Sequence, residues 1–115
     1  MRLRSDIWVA AYLRRCVVEG VSAVLRRRGA AEAGAIFVKV DHLNGSATLY
    51  GPAPQSVAAA APRGVDRIFA PAHTGPWIDS GEAEERLKRE VAFDPDLWIV
   101  EVEDGADGAW LDLVP

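Results

Sequence analysis

Residues 93–104, Phe-Asp-Pro-Asp-Leu-Trp-Ile-Val-Glu-Val-Glu-Asp, decide the fold of this chain. Pro95 disfavours a helical conformation at Asp94, and the β-branched and aromatic run that follows predicts a strand. Along this run two faces alternate, with Trp98, Val100 and Val102 on one and Leu97, Ile99, Glu101 and Glu103 on the other. Because both faces begin apolar and only one becomes charged, we expect a strand that is covered on both sides at its start and wetted on one side near its end.

Length and composition predict one domain. The chain has 115 residues, of which 50% are hydrophobic and 26% are charged. Two separate cores would be undersized at this length, so we expect residues 1–115 to form a single domain. The only cysteine is Cys16, which excludes an intramolecular disulfide and a cysteine-rich zinc site.

The N-terminal segment lacks the pattern of a signal peptide. Its apolar run, residues 7–13, is short, contains Trp8 and Tyr12, and is followed by Arg14 and Arg15 without a small-residue cleavage site. No segment approaches the roughly 18 apolar residues that suggest a membrane helix. The sequence therefore predicts a cytoplasmic protein with no membrane partner.

The net charge of −4 is divided unevenly along the chain. Residues 1–64 carry nine Lys or Arg against four Asp or Glu, whereas residues 65–115 carry four against thirteen. Two explanations stay open. Either the halves pack against each other and partly neutralise, or the first half presents a basic face to an acidic partner.

The first helix is expected over residues 5–19, where no Gly or Pro interrupts the chain and Ser5 or Asp6 can cap it. At helical spacing its buried stripe would contain Val9, Leu13, Cys16 and Val17. Cys16 is therefore interpreted as a small core residue. Trp8 falls away from the stripe, so it is either covered by another element or part of an interface.

The middle of the chain predicts three strands. Residues 21–28 alternate and end in three arginines, which favours an edge strand, although the same residues also suit a helix. A loop at 29–34 leads to a clear strand at 35–41. Asn44-Gly45 then predicts a hairpin turn into a strand at 46–50.

Residues 51–79 are rich in Pro and Gly and predict a long loop. Within it, Val57–Ala61 could form a helical turn and Val65–Phe69 a short strand. The sequence leaves open whether this loop is ordered.

A second helix is predicted after Asp79, which has capping-box spacing with Glu82. Its inward stripe would contain Ala83, Leu87 and Val91. Three pairs of opposite charge have i,i+4 spacing, and they are Glu82–Arg86, Glu84–Lys88 and Glu85–Arg89. These pairs predict a solvated helix whose charges need no other partner.

With a final strand expected over Ala109–Leu113, these segments predict an α+β fold. Consecutive strands joined by short turns pair antiparallel, so we expect a mixed or mostly antiparallel sheet of about five strands. Both helices are expected to pack on one face of that sheet.

Four segments resemble a known family. They lie at residues 2–15, 33–40, 49–55 and 85–104, and the last reads Glu-Arg-Leu-Lys-Arg-Glu-Val-Ala before the strand quoted above. They are similar to a family of short bacterial proteins catalogued as domain of unknown function 1491. The resemblance spans nearly the whole chain apart from roughly residues 56–76. It implies a stand-alone bacterial protein and supplies no activity, cofactor or catalytic residue.

Catalytic and metal-binding patterns are sparse. His42 and His73 are the only histidines, so neither a metal site nor a cofactor is predicted. The one enzymatic alternative is a small active site in which His73, Asp79 and Thr74 converge from the long loop. No catalytic residue is assigned, and a non-enzymatic protein is the favoured interpretation.

A second alternative is binding of nucleic acid or another anion by the basic half. The residues that would contact it are Arg14, Arg15, Arg26, Arg27 and Arg28. The chain as a whole is acidic, and no recognisable nucleic-acid-binding motif accompanies the arginines, so this hypothesis ranks second.

The leading hypothesis is a small protein-interaction or self-associating module. The chain has four tryptophans, and Trp8 and Trp77 lie where burial is least expected. Tryptophan is a frequent interface anchor. The interaction candidates are therefore Trp8, Trp77, Arg26, Arg27 and Arg28, with a homodimer or a second protein as partner.

Overall fold

The run that begins at Trp98 forms a central strand. The computed structural model describes residues 3–54, 56, 66–103 and 107–114. In chain order the strands within these residues are β1 (Ala23–Arg27), β2 (Ile36–Asp41), β3 (Ser46–Pro52), β4 (Phe69–Pro71), β5 (Ile78–Asp79) and β6 (Trp98–Glu103). The helices are α1 (Ser5–Val18) and α2 (Ser80–Phe93), and Asp107–Trp110 forms a 3-10 turn.

The strands form one mostly antiparallel sheet in the order β1-β6-β2-β3-β4, with β5 also paired to β3. Only β2 and β6 run parallel, because α2 lies between β5 and β6 and carries the chain back across the sheet. The predicted α+β class and the single domain of helices and sheet are confirmed. β1 ends the sheet, as the arginine-rich sequence indicated.

The helices lie on opposite faces of the sheet, so the prediction that both cover one face was wrong. On one face, Trp98 and Val100 of β6 join a core with Cys16 of α1. On the other face, Leu97 and Ile99 pack with Leu87 of α2. The physical reason is visible in β6 itself: both of its faces begin apolar, and each needs a covering layer.

α1 buries a stripe made by Ser5, Val9, Tyr12 and Cys16. The core position predicted for Cys16 is confirmed. Val17 was wrongly assigned to the stripe, since it is exposed and Tyr12 takes the inward position. The Tyr12 hydroxyl donates a hydrogen bond to the carbonyl oxygen of Ala109, which explains how a phenol is accommodated there.

α2 begins at Ser80 and buries Ala83 and Leu87, as predicted. Asp79 is the N-cap residue, but its side chain accepts no capping hydrogen bond. The expectation that the helix charges need no outside partner was wrong, because Glu84 contacts residues of β1 and β2. The i,i+4 ion pair that forms on this helix is Arg86–Glu90.

The remaining predictions had mixed outcomes. The strand at 21–28 and the Asn44-Gly45 hairpin are confirmed. The short strand expected at Val65–Phe69 begins only at Phe69, and the expected turn at Val57–Ala61 lies outside the described residues.

The final strand predicted at Ala109–Leu113 was wrong. The segment is a 3-10 turn followed by a single bridge between Leu113 and Phe69. Ala109 and Trp110 have positive φ angles of 48° and 59°, which break an extended strand.

No helix in the described parts of the chain has the length and apolarity needed to cross a bilayer.

The loop at 29–34 is held against the start of β6. The Ala30 N–H donates to the Asp96 carbonyl oxygen at 2.8 Å, and the Trp98 indole N–H donates to the Ala30 carbonyl oxygen at 2.8 Å. This close approach leaves no room for a side chain at Gly29. It also fixes where β1 ends, because Gly29 follows β1 almost directly.

Gly29→Ala should lower the free energy of unfolding by about 1–3 kcal/mol, a typical cost of overpacking. A Cβ there would lie 2.6 Å from the Leu97 carbonyl carbon and 2.7 Å from Cδ1 of Trp98. Gly81→Ala is the matched control, since a Cβ at that helical position meets nothing within 4 Å. Urea unfolding measures both variants, and a Gly29→Ala protein as stable as wild type would contradict this packing.

Candidate interaction site

β1 leaves one backbone edge open. It pairs with β6 on one side, and within the described residues no strand pairs with its other side. The Glu103 N–H donates to the Ser22 carbonyl oxygen at 2.9 Å, and hydrogen-bonded positions alternate along an antiparallel pair. Val24 therefore bonds to β6, whereas Ala23 and Leu25 direct their N–H and C=O groups to the open edge.

A β-bulge ends the regular part of β1. Leu25 is opposite Val100 and Arg27 is opposite Ile99, so Arg26 is an inserted residue. Bulges and charges are common on natural edge strands because both discourage indiscriminate pairing. The open edge is therefore short and selective.

The Arg26 guanidinium anchors β1 to α2. It contacts the two carboxylate oxygens of Glu84 at 2.6 and 2.8 Å, and its Nη1 also donates to Glu101 at 2.9 Å. A two-pronged contact of this kind fixes both position and orientation. Arg26 was predicted as an interaction candidate, and the structure places its charge in an internal ion-pair network.

Lys39 belongs to the same network from the neighbouring strand β2. Its side chain is only 5% exposed, and its ammonium donates to Glu84 at 2.7 Å and to the Ser80 hydroxyl at 2.8 Å. Glu84 thus pairs with the buried Lys39 and the partly exposed Arg26, and Glu101 supplies the second negative charge of the network. A buried ammonium without such partners would be strongly unfavourable.

Hydrogen bonds from Arg26 and Lys39 lower the pKa of the Glu84 carboxyl from 4.5 to about 2. A carboxyl with a lowered folded-state pKa binds fewer protons than in the unfolded chain, so it stabilises the fold fully above pH 4.5. That contribution is lost as the pH falls towards about 2. The network is therefore intact at neutral pH.

A groove of about 530 Å³ lies between β1 and α2. Its floor is apolar and consists of Leu87, Val91 and Ile99. Its rim is charged and consists of Arg26, Arg27, Glu84, Glu85 and Lys88. An apolar floor with a polar rim is the usual anatomy of a binding surface.

Exposed apolar side chains are present on both elements that flank this groove. Val24 on β1 is 52% exposed, and Phe93 at the end of α2 is 89% exposed. The Arg27 guanidinium donates to the Pro95 carbonyl oxygen at 2.6 Å, which brings the end of β1 to the chain just beyond Phe93. We call Val24, Leu25, Arg27 and Lys88, together with the groove, the β1 edge site.

Arg27 and Arg28, both predicted interaction candidates, lie on opposite faces of the sheet. The Arg28 guanidinium lies over the Trp98 ring, 5.2 Å from its centroid, and Arg27 is held by the Pro95 carbonyl. Among residues 3–54, 66–103 and 107–114, neither forms an ion pair with a carboxylate. Arg27 therefore contributes positive charge to the groove rim, whereas Arg28 lies on the α1 face, where Arg4 and, to a smaller extent, Arg28 lower the pKa of the Asp6 carboxyl.

The other interaction candidates lie elsewhere. Trp8 stacks on Tyr12 with ring centroids 5.1 Å apart and contacts Phe69 at 5.3 Å, so another element covers it. Trp77 is 56% exposed in the segment before β5. Arg15 pairs with Glu19.

Arg14 is exposed on α1. Arg15 and Arg26 form ion pairs with carboxylates of this chain. The five predicted basic residues therefore lie on separate parts of the surface.

Backbone groups hold the His73 ring in place. Its Nε2 accepts the Leu49 backbone N–H at 3.1 Å, and its Nδ1 lies 3.1 Å from the Thr74 carbonyl oxygen, to which the N–H donates. Both ring nitrogens are thus engaged by the backbone in the neutral form.

His73 and Thr74 line a second groove, of about 570 Å³, whereas Asp79 is not among its lining residues. The structure therefore does not bring the three together as the enzymatic alternative requires. In the described part of the chain no three His, Cys, Asp or Glu side chains form a metal-binding group.

Sequence reasoning missed the groove, the role of Glu84 and the exposure of Phe93. The groove is built by β1, α2 and β6, which are distant in sequence, so no local motif could reveal it. The position of Phe93 could have been predicted from the sequence, because an aromatic residue directly before Asp94 and Pro95 must lie at the end of a helix.

The sequence and the structure both match known proteins. A family model described as a protein of unknown function, DUF1491, matches residues 3–112. A crystal structure of a DUF1491 family protein from Caulobacter crescentus CB15 is 34% identical with a TM-score of 0.71, over 90% of this chain and 88% of that one. An NMR structure of a DUF1491 family protein from the same organism is 32% identical with a TM-score of 0.72, over 98% of this chain and 97% of that one.

A solution structure of protein Atu0922 from A. tumefaciens is 40% identical with a TM-score of 0.79, over 99% of this chain and 96% of that one. None of the curated proteins matches the sequence significantly.

Glu84→Gln should lower the free energy of unfolding by roughly 1–3 kcal/mol, because it leaves the buried Lys39 ammonium without a carboxylate. Glu85→Gln, an exposed change on the same helix, is the matched control and should stay within about 0.5 kcal/mol of wild type. Adding Lys39→Met to Glu84→Gln removes the unpaired charge and should restore part of the loss. Equal stability of Glu84→Gln and Glu85→Gln would show that the network does not hold α2 to the sheet.

Proposed function

The chain belongs to the DUF1491 family of proteins of unknown function, and we propose that it is a non-catalytic interaction module. In this proposal it binds an extended segment of a partner protein along the open edge of β1. The observation that carries the proposal is a β1 edge that no strand of the described residues pairs with, together with the apolar-floored groove beside it. We propose that it acts in the bacterial cytoplasm.

The unpaired backbone of β1 supports strand addition. Partner recognition by an added strand uses main-chain hydrogen bonds for affinity and pockets for alternate side chains for specificity. Ala23 and Leu25 supply the outward N–H and C=O groups on β1. A segment of a few residues fits the regular length of this edge, since the bulge at Arg26 limits it at one end.

The side chains beside the edge support the same function. Val24, on the α2 side of β1, is half exposed although it is β-branched and lies in a sheet. Leu25 is 37% exposed on the other side of the strand. A bound strand would cover both, and burial of apolar surface is the main favourable term in association.

The fixed position of α2 supports a preformed site. Arg26 of β1 and Lys39 of β2 both pair with Glu84, so ion pairs within the fold hold α2 beside the groove. Binding costs less conformational entropy when the groove needs no rearrangement. This is the functional value that we assign to the ion-pair network.

Leu25→Pro tests the proposal because it removes an outward N–H without disturbing the bonds to β6. The variant should fold, with thermal unfolding close to wild type, and should lose the proteins that co-purify with the tagged wild-type chain from its own host. Leu25→Val is the matched control, since it retains the N–H and the strand propensity and should keep those partners.

Retention of the same partners by wild type, Leu25→Val and a folded Leu25→Pro would exclude the β1 edge as the interface. Size-exclusion chromatography with light scattering identifies a second copy as the partner if wild type is dimeric and Leu25→Pro monomeric.

A further inference from the structure

We infer that the segment bound at the β1 edge is an extended acidic peptide with an apolar side chain directed at the groove. This inference rests on the proposed function and specifies the chemistry of the partner. It comes from the charge around the edge and from the direction in which an added strand would present its side chains.

An added strand would place every second side chain on the α2 side of the sheet. On that side lie Val24 and the groove floored by Leu87, Val91 and Ile99. An apolar side chain opposite Val24 would extend this floor across the gap to the partner. Cross-strand apolar pairs of this kind stabilise sheets.

The charge at the site is positive where it is not already neutralised. Glu84 is occupied by Arg26 and Lys39. In the described ranges, Arg27 and Lys88 on the rim have no carboxylate within ion-pair distance, whereas the only unengaged carboxylate there belongs to Glu85. Carboxylates on the partner would complement this surplus, which steers association and excludes basic segments.

The same charges disfavour a second copy as the partner. In a two-fold dimer through β1, each strand would meet its own equivalent in antiparallel orientation. The segment that each copy would offer, residues 21–28, contains three arginines and no Asp or Glu. It supplies no carboxylate to complement Arg27 and Lys88, so a strand of opposite charge fits better.

A random library of short peptides, displayed on phage and selected on the purified chain, tests the inference. Selected sequences should be enriched in Asp and Glu alternating with apolar residues. A synthetic peptide of the enriched sequence should shift the NMR amide signals of Ala23 and Leu25, and it should not bind Leu25→Pro.

Charge reversal at the rim supplies the matched pair of variants. Lys88→Glu should weaken binding of the selected peptide by roughly threefold to tenfold, because a rim cation becomes a like charge. Arg89→Glu makes the same change in net charge on the adjacent residue of α2, which lines the other groove, and should leave binding unchanged.

The outcomes separate this inference from the proposed function. Failure to select peptides, selection without acidic enrichment, or equal effects of Lys88→Glu and Arg89→Glu would overturn the inference. So would a short single-stranded RNA that binds more tightly than the selected peptide and is unaffected by Leu25→Pro. If Leu25→Pro nevertheless loses its cellular partners, the interaction module stands with a different partner chemistry.

Discussion

Burial of β6 on both faces is the constraint on which the rest of the structure depends. Trp98 and Val100 are almost completely buried beneath α1, and Leu97 is as buried on the side of α2. Each large apolar side chain contributes about 1.5–3 kcal/mol when it leaves water, so neither face can be left uncovered. One helix per face satisfies this requirement. The parallel neighbour β2 and the antiparallel neighbour β1 then complete the strand's hydrogen bonds.

Among the described strands, β1 then has a hydrogen-bonded neighbour on one side only, which is β6. α2 is fixed over the sheet by Glu84, which receives Arg26 from β1 and Lys39 from β2. The helix packs over β3, β2 and β6 and leaves a groove beside β1. Edge strands are normally protected, and here the bulge and the arginines restrict the edge without closing it. The same residues that stabilise the fold thus define the proposed binding surface.

The sequence was sufficient for most elements because their signals are local. The alternation of residues 97–102, the Asn44-Gly45 turn and the Pro95 boundary each report on a few neighbouring residues. The prediction that both helices cover one face was wrong because apolar residues on both sides of β6 require a covering layer on each. Glu84 was paired with Lys88 by spacing, whereas its actual partners lie more than forty residues away. Long-range partners and a groove built from three elements have no local signature.

The central claim is that β6 is an interior strand, paired on both sides, while β1 keeps an outer edge that no described strand pairs with. Amide hydrogen exchange of the free, isotopically labelled chain at neutral pH tests it most directly. The amides of Val100 and Val102 should exchange slowest, Val24 should be protected by its bond to β6, and Ala23 and Leu25 should exchange far faster than Val24. Protection at Leu25 equal to that at Val100 would show that the edge is already occupied and would contradict the account.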